Sequence, residues 1–154
     1  MTPYYLDTSA LIKHYVAESG SAWLNSEIIQ AEDVLILTSR MTMVEVWSAL
    51  ARRRREASIS AQHHADALDA FREDSLHRYI FVEFELPVIE AAGQLLERHP
   101  LRAYDSVQLA SALVAGRTLA DAALPQPTFL SADDSLLEFA LAEGLSIDNP
   151  NLHP

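Results

Sequence analysis

The stretch PYYLDTSALIKHYV, residues 3–16, changes its pattern at Asp7. Residues 3–6 form a short apolar run, which is typical of a buried strand, and Thr8 and Ser9 are residue types that often precede a helix. The apolar side chains that follow recur at helical spacing, at Leu11, Ile12, Tyr15 and Val16. This stretch therefore predicts a strand that ends at Asp7 and is followed directly by a helix.

The same order of strand and helix continues along the chain. Further strands are predicted by short apolar runs at 34–37 (VLIL), 80–84 (IFVEF), 128–131 (TFLS) and 145–148 (LSID). Helices are predicted by apolar periodicity at about 22–31, 41–56, 61–79, 87–98, 103–118 and 134–143, with a loop at 119–127. This alternation predicts an α/β fold, a central parallel sheet of four to five strands covered by helices on both faces.

Length and composition predict one globular domain. The 154 residues are 49% hydrophobic and 21% charged, without a repeat or a linker, so we expect one domain at 1–149 and a short C-terminal tail at 150–154. The absence of cysteine excludes disulfides and cysteine zinc sites and fits a reducing compartment. No apolar run approaches the ~20 residues of a membrane span. With no signal-peptide pattern either, we expect a cytoplasmic protein without a membrane partner.

The net charge of −11 argues against passive binding of nucleic acid. One lysine and ten arginines stand against 22 acids, whereas proteins normally contact phosphates through Lys and Arg. A nuclease that uses bound cations to contact phosphate is not excluded by this charge.

Four acids lie where a carboxylate ends a predicted strand or interrupts an apolar helix. Asp7 and Asp133 follow the first and fourth strands, at the sheet edge where ligands bind in such folds. Asp105 lies in the first turn of a predicted buried helix, and Glu45 has apolar neighbours within another. Each acid alone could be a helix cap, a turn residue or a solvent-facing charge. Carboxylates gathered together repel one another unless a cation neutralises them, and such oxygen ligands suit Mg²⁺ or Mn²⁺.

Four segments around these acids resemble the motifs of PIN-domain ribonucleases of the VapC type, the toxins of type II toxin–antitoxin pairs. The segments are YLDTSALIK (5–13), TSRMTMVEVWSAL (38–50), LRAYDSVQLASAL (101–113) and FLSADDSLL (129–137). The ending GLSIDNP (144–150) is also similar. The resemblance covers essentially the whole chain, with all four acids in order, and implies a PIN-like fold.

The resemblance implies a Mg²⁺-dependent ribonuclease, with Mn²⁺ able to substitute, whose catalytic and metal-binding acids are Asp7, Glu45, Asp105 and Asp133. Asp7 and Asp105 would be direct ligands, and the other two would act through water or hold a second ion. Ser9 matches a small hydroxyl residue that supports the first acid, and Ser131 matches a small hydroxyl residue before the fourth; both are expected to be supporting residues. Asp133 is chosen over its neighbour Asp134 because the family places a leucine three residues later, here Leu136.

Two arginines are candidates for contacting the RNA backbone. Arg52 lies two helical turns after Glu45, about 10 Å away on the same face, within the basic run 52–55. Arg40 is a second candidate for the same groove. A solvated helix end is the alternative interpretation of the run.

The implied partners are an RNA substrate, a cognate antitoxin and a second copy of the chain. The homodimer would use apolar residues of the helix pair 41–56 and 61–79, and the antitoxin would bind near Leu11, Tyr15 and Trp23. Two alternative functions stay open: a PIN-fold protein-binding module without catalysis, and a metal-dependent phosphatase. The phosphatase is weakened because Asp7-Thr8-Ser9 lacks the second aspartate that an aspartyl-phosphate enzyme would offer.

Overall fold

A computed structural model describes all residues, 1–154, and confirms the predicted parallel α/β sheet. The five strands are β1 (Thr2–Leu6), β2 (Val34–Ser39), β3 (Tyr79–Val82), β4 (Thr128–Leu130) and β5 (Ile147–Asp148). The seven α-helices are α1 (Thr8–Tyr15), α2 (Ser21–Leu24), α3 (Met41–Arg55), α4 (Ala61–His77), α5 (Leu86–Arg98), α6 (Ala103–Asp121) and α7 (Asp134–Ala142). No helix combines the length and the apolar character that crossing a bilayer requires.

The strand order β3-β2-β1-β4-β5 places a switch point between β1 and β4. The chain moves outward from β1 to β2 and β3, and then returns to add β4 and β5 on the other side of β1. All pairs are parallel, so the carboxyl ends of the strands share one edge. The crevice at such a switch point is where ligands bind in open α/β sheets.

Helices cover both faces of the sheet, as predicted. Helices α1 to α4 pack on the face that contains Leu6 and Ile36, and α5 to α7 pack on the face that contains Tyr5 and Leu37. Consecutive residues of a strand point to opposite faces, so each strand must be apolar on both sides. This explains the uninterrupted apolar runs from which the strands were predicted.

Two helices differ in length from the prediction by three or more residues. The helix expected at 22–31 is α2 followed by a π-helical turn at Asn25–Ile29. Helix α6 continues past 118 because no proline or glycine interrupts the sequence before Pro125. It ends at Asp121, the expected loop is shortened to 122–127, and Ala123 in that loop has a left-handed φ of 59°.

Residues 150–154, expected to form a short tail, pack against the domain. Pro150–Leu152 forms a 3-10 helix that contacts α2, and the ring of His153 stacks on that of Trp23 with 4.0 Å between centroids. At Gly20, whose φ is +85°, an added Cβ would lie 2.2 Å from the carbonyl oxygen of Pro150. This close approach explains why a glycine precedes α2.

Candidate active site

A cleft of about 720 Å³ opens at the carboxyl edge of the sheet, where β1 adjoins β4. The structure brings all four predicted acids into its lining: Asp7, Glu45, Asp105 and Asp133. The first follows β1, the second lies in α3, the third lies in the first turn of α6 and the fourth precedes α7. Acids that are far apart in sequence meet here because parallel strands end at the same edge.

Asp7 is the buried acid at the bottom of this cleft. Its Oδ1 accepts hydrogen bonds from the Ser9 hydroxyl at 2.7 Å and the Ala10 backbone N–H at 3.0 Å, so it caps α1. Its Oδ2 accepts from the Ser131 hydroxyl at 2.6 Å. Burial raises the pKa of Asp7 to about 6, although these three hydrogen bonds act to lower it, and the negative charge of Glu45 raises it further. The carboxylate is therefore fixed in position yet costly to ionise.

Ser9 and Ser131 connect Asp7 to the turn that carries Asp133. The Ser9 hydroxyl accepts from the backbone N–H of Ala132 at 2.9 Å while donating to Asp7. The Ser131 hydroxyl accepts from the backbone N–H of Asp133 at 3.0 Å in the same way. Each serine thus orients Asp7 and anchors the turn after β4.

The acids of the Asp133–Asp134 pair have different surroundings. Asp133 lines the cleft and caps α7, since its Oδ1 accepts from the backbone N–H groups of Ser135 at 2.9 Å and Leu136 at 3.2 Å. Asp134 does not line the cleft, and its Oδ1 accepts from the side-chain amide of Asn149 at 2.8 Å. The geometry favours Asp133 as the member of the acidic group.

Glu45 is held by Gln108, a residue that the sequence analysis missed. The buried amide of Gln108 donates from Nε2 to Glu45 Oε1 at 2.9 Å and to Thr42 Oγ1 at 3.0 Å. Burial raises the pKa of Glu45, and the bond from Gln108 opposes that rise. Gln108 lies three residues after Asp105 on the same helical face, within a stretch of α6 (106–116) whose other residues are all apolar or small. That isolated amide is the signal that could have identified it.

Mutual repulsion among the acids is visible in their pKa values. Burial raises the pKa of Asp105, the negative charge of Asp133 raises it further, and Arg102 opposes both effects. Asp105 in turn raises the pKa of Glu45, and Glu45 raises that of Asp7. The four carboxylates therefore form one electrostatically coupled group, and a cation would stabilise their ionised forms.

The donor set of the cleft fits a hard divalent cation. Nowhere in the chain are three or more His, Cys, Asp or Glu side chains close enough together to enclose a metal ion. Mg²⁺, however, keeps several waters and is often bound through one or two carboxylates. The four acids offer only carboxylate oxygens, and the ionisation of Asp7, Glu45 and Asp105 is opposed by burial and by neighbouring negative charge, which fits that mode of binding.

Only one of the two predicted arginines lies in the cleft. Arg52 is exposed and lines it. Arg40 does not: its guanidinium forms a bidentate hydrogen-bonded ion pair with Glu83, and its Cζ lies 4.3 Å from the centroid of the Phe81 ring. The expectation that Arg40 would face the same groove is therefore wrong, because Glu83, directly after β3, holds its guanidinium outside the cleft.

Lys13, Glu18 and Arg53 also line the cleft and were not identified from the sequence. Glu18 accepts from Lys13 Nζ at 3.2 Å and from Arg53 at 2.7 Å. Burial acts to raise the pKa of Glu18, but the two cations outweigh it and lower that pKa. A lone lysine directly after the apolar residues 10–12 of α1 is the sequence signal that marks this cluster.

Leu11 and Tyr15, where the antitoxin was expected to bind, are buried inside the domain. Leu11 is fully buried and Tyr15 is 7% exposed, since α1 packs against both the sheet and helices α3 and α4. Trp23 is partly buried beneath His153. The helical periodicity of α1 showed an apolar face but could not show that α4 covers it.

Comparisons with known proteins agree with this geometry. The PIN domain family model matches residues 4–139. Two relatives from Mycobacterium tuberculosis are each 38% identical over 112 residues, which is 73% of this chain and 76% of the relative. They are ribonuclease VapC45 of strain CDC 1551 / Oshkosh and ribonuclease VapC49 of strain ATCC 25618 / H37Rv.

Solved structures of toxin–antitoxin complexes share the fold. A complex from Klebsiella pneumoniae contains a chain with a TM-score of 0.62 and 13% identity, covering 96% of this chain and 97% of that one. VapBC2 from Rickettsia felis, bound to a DNA fragment from its promoter, gives a TM-score of 0.63 and 17% identity, covering 96% and 98%. These likenesses confirm the expected PIN-like fold. Together with the matches in sequence, they show that this chain belongs to the PIN-domain family and is of the VapC type.

Proposed function

We propose that the protein is a Mg²⁺-dependent endoribonuclease that hydrolyses RNA phosphodiester bonds and acts as the toxin of a toxin–antitoxin pair. The observation that carries the proposal is the meeting of Asp7, Glu45, Asp105 and Asp133 in one cleft of a PIN-like fold. Its M. tuberculosis relatives carry the name ribonuclease VapC. An acidic cleft of this kind can accept an RNA phosphate only when cations offset its charge.

The acids divide into two roles in this proposal. Asp7 and Asp105 would hold Mg²⁺ directly, and Glu45 and Asp133 would act through water or hold a second ion. When bound, the metal would supply Lewis acidity toward the phosphate and the attacking water. Ser9 and Ser131 keep the Asp7 carboxylate in place, and Gln108 does the same for Glu45. Arg52, exposed at the same cleft, would contact a neighbouring phosphate of the strand.

The partners follow from the same assignment. We infer a cognate antitoxin encoded as a separate chain, and a location in the cytoplasm, where both RNA and antitoxin are available. We also infer a homodimer, because Val44 and Trp47 on α3 and Leu76 on α4 are exposed apolar side chains on the helix pair expected to form it. Light scattering that found only monomers at micromolar concentration would contradict the dimer.

One assay separates the proposed activity from its two alternatives. Purified protein is incubated with total RNA and Mg²⁺, with Mn²⁺, and with EDTA, and a phosphate-release assay on small phosphomonoesters runs in parallel. We expect RNA fragments with either metal and none with EDTA. Phosphate release without RNA cleavage would indicate the phosphatase, and neither activity would indicate the protein-binding module.

The RNA assay includes a variant to exclude a contaminating nuclease. Asp105→Asn keeps the size of the side chain and removes one charge of the coupled acidic group. Cleavage by the wild-type protein and not by this variant, purified in parallel, is the result that supports the proposal.

A further inference from the structure

The cleft has a basic end as well as an acidic one. Lys13 and Arg53 line it and share one counter-ion, Glu18, whose carboxylate oxygens lie 3.2 Å from Lys13 Nζ and 2.7 Å from the Arg53 guanidinium. The group of three has a net positive charge, in a chain whose net charge is −11. Arg52 extends this basic end along the cleft.

The burial of Lys13 is unusual for a lysine. This residue, the chain's one lysine, is only 4% exposed, whereas lysines are rarely buried unless they are fully paired. Its ammonium group makes a single hydrogen bond, to Glu18, although it has three N–H donors. Arg53 similarly uses one NH group for Glu18 and one for the carbonyl oxygen of Ala49. Both cations therefore keep donors for a further acceptor in the cleft.

The spacing of charges along two neighbouring helices matches a bound strand. Helices α1 and α3 follow parallel strands on the same face, so both run away from the carboxyl edge. Lys13 lies six residues after Asp7, about 9 Å along α1, and Arg53 lies eight residues after Glu45, about 12 Å along α3. Phosphates advance about 3.4 Å per nucleotide along a duplex strand and more in an extended one. If one phosphate lies at the acidic end of the cleft, a second phosphate, one to three nucleotides along the strand, would therefore lie near Lys13 and Arg53.

We propose that Lys13 and Arg53, held together by Glu18, form a phosphate-binding subsite that takes a backbone phosphate of the RNA strand one to three nucleotides from the scissile bond. The subsite rests on the proposed ribonuclease function. Glu18 keeps the two cations in the cleft and offsets one of their charges, so that phosphate binds here with moderate strength. Phosphate contacts of this kind position a strand without reading its sequence.

The test measures binding without catalysis. A fluorescein-labelled oligouridylate of about eight nucleotides is titrated, with Mg²⁺ in excess, with protein that carries Asp105→Asn to prevent cleavage, and fluorescence anisotropy gives the affinity at several salt concentrations. The variants are Lys13→Met, Arg53→Met and Glu18→Gln. The matched control is Arg54→Met, which removes the same charge from the same helix at an exposed position outside the cleft.

The proposal predicts effects of opposite sign. Lys13→Met and Arg53→Met should each weaken binding roughly tenfold. Each should also make the slope of log affinity against log salt concentration less steep by about 0.7, the value for one phosphate contact on a single strand. Glu18→Gln should strengthen binding roughly threefold to tenfold, because it removes a negative charge beside the phosphate. Arg54→Met should change affinity by less than about twofold. A purely structural ion pair predicts loss, or no change, for all three cleft variants, and either pattern would overturn the subsite.

Two further measurements distinguish a phosphate contact from a contact to the ribose and from loss of folding. The same oligonucleotide as DNA should lose affinity equally in Lys13→Met and Arg53→Met, because the phosphates are common to both; a loss confined to RNA would overturn a phosphate contact. Circular dichroism melting checks that each variant is folded before its affinity is used. If the strand binds with the predicted pattern but wild-type protein does not cleave RNA with Mg²⁺, the ribonuclease proposal fails, and Lys13 and Arg53 are left as a phosphate contact without a scissile bond; cleavage without the predicted pattern overturns the subsite alone.

Discussion

The side-chain amide of Gln108 donates a hydrogen bond to the carboxylate of Glu45 at 2.9 Å. The orientation of that amide is set from the other side, because the buried Tyr5 hydroxyl donates to Gln108 Oε1 at 2.7 Å. Burial raises the pKa of Tyr5, so its hydroxyl stays protonated and donating. Gln108 must therefore present its NH₂ group, and not its carbonyl oxygen, to Glu45 and Thr42. A residue of the sheet core thus orients an acid of the cleft.

Replacing Gln108 by Leu should weaken catalysis through Glu45. Without the amide, the pKa of Glu45 should rise further above its usual range, because burial is then opposed by one bond fewer. We expect RNA cleavage at neutral pH to fall roughly tenfold to a hundredfold, and the acidic limb of the pH–rate profile to move to higher pH. The control is Tyr5→Phe, which keeps Gln108 but frees its amide to rotate and should give a smaller shift in the same direction. A lower rate with an unmoved pH profile would show that Gln108 is only structural.

The two acids of the Asp133–Asp134 pair should respond differently to the same substitution. Asparagine caps helices as well as aspartate does, so Asp133→Asn should keep α7 and leave the melting temperature nearly unchanged. It should nevertheless lower RNA cleavage at least tenfold, because it removes a charge from the cleft. Asp134→Asn should leave cleavage within about twofold, since that carboxylate binds Asn149 away from the cleft. Cleavage assays and thermal melts of both variants show which of the two aspartates belongs to the site. A loss of cleavage in Asp134→Asn and not in Asp133→Asn would show that Asp134 is the fourth acid.

Much of the site could be predicted from the sequence because it depends on local features. An acid that follows an apolar strand within a few residues lies near the carboxyl edge of a parallel sheet, and this predicted the positions of Asp7 and Asp133. Contacts between distant segments were not accessible in this way. Arg40 is held by Glu83, which lies 43 residues later in the chain, and Gln108 lies 63 residues after its partner Glu45. Neither pairing leaves a periodic or spaced pattern that a single sequence could show.

Burial depth was the other feature that the sequence could not give. Apolar periodicity in α1 indicates that Leu11 and Tyr15 face apolar surroundings, but not whether those belong to the domain or to a partner. Here α4 covers them, and Phe71 contacts Tyr15 edge-on at 5.4 Å between ring centroids. The same limit concealed Lys13, whose burial beside Glu18 appears only when the helices are packed.

Asp105→Asn should separate stability from activity. The pKa of Asp105 is raised by burial and by the negative charge of Asp133, so its ionised form costs the folded state free energy at neutral pH. The neutral, equally shaped side chain should therefore melt at the same temperature or higher while RNA cleavage is lost and Mg²⁺ binding is weakened. Calorimetric melts and Mg²⁺ titrations test this. Cleavage at the wild-type rate would show that Asp105 is not part of the site.

Asp7 should make both stability and metal binding depend on pH. Its pKa is about 6 in the folded protein and 3.8 in its ordinary state. Between these values the folded state holds the proton more tightly, so the free energy of unfolding should fall as pH rises from about 4 to about 6 in metal-free protein. Asp7→Asn should remove that fall and, because asparagine still caps α1, should be the more stable protein above about pH 6. Urea denaturation across this range measures the difference.

Metal binding should show the opposite dependence on pH. Below about pH 6 a metal must displace the proton from Asp7, so the affinity for Mn²⁺ should fall up to about tenfold per pH unit. Calorimetric titration in buffers of different ionisation enthalpy should detect close to one proton released per ion at about pH 5 and few at about pH 7. Binding without proton release at the lower pH would show that Asp7 is not a direct ligand.

The antitoxin should inhibit the enzyme by occupying the acidic end of the cleft. A site that needs cations to accept RNA is equally open to a cationic side chain, and an antitoxin arginine could form bidentate contacts with Asp7, Asp105 or Asp133. Such a guanidinium would displace Mg²⁺ and block the path of the strand at the same time. Mn²⁺ is therefore titrated into the free protein and into its complex with the cognate antitoxin, and we expect the complex to bind the ion at least tenfold more weakly. Lys13→Met, which leaves the acids intact, serves as a control and should show the same difference between free and bound forms. Undiminished Mn²⁺ binding in the complex would rule out direct occupation and leave steric exclusion of RNA as the means of inhibition.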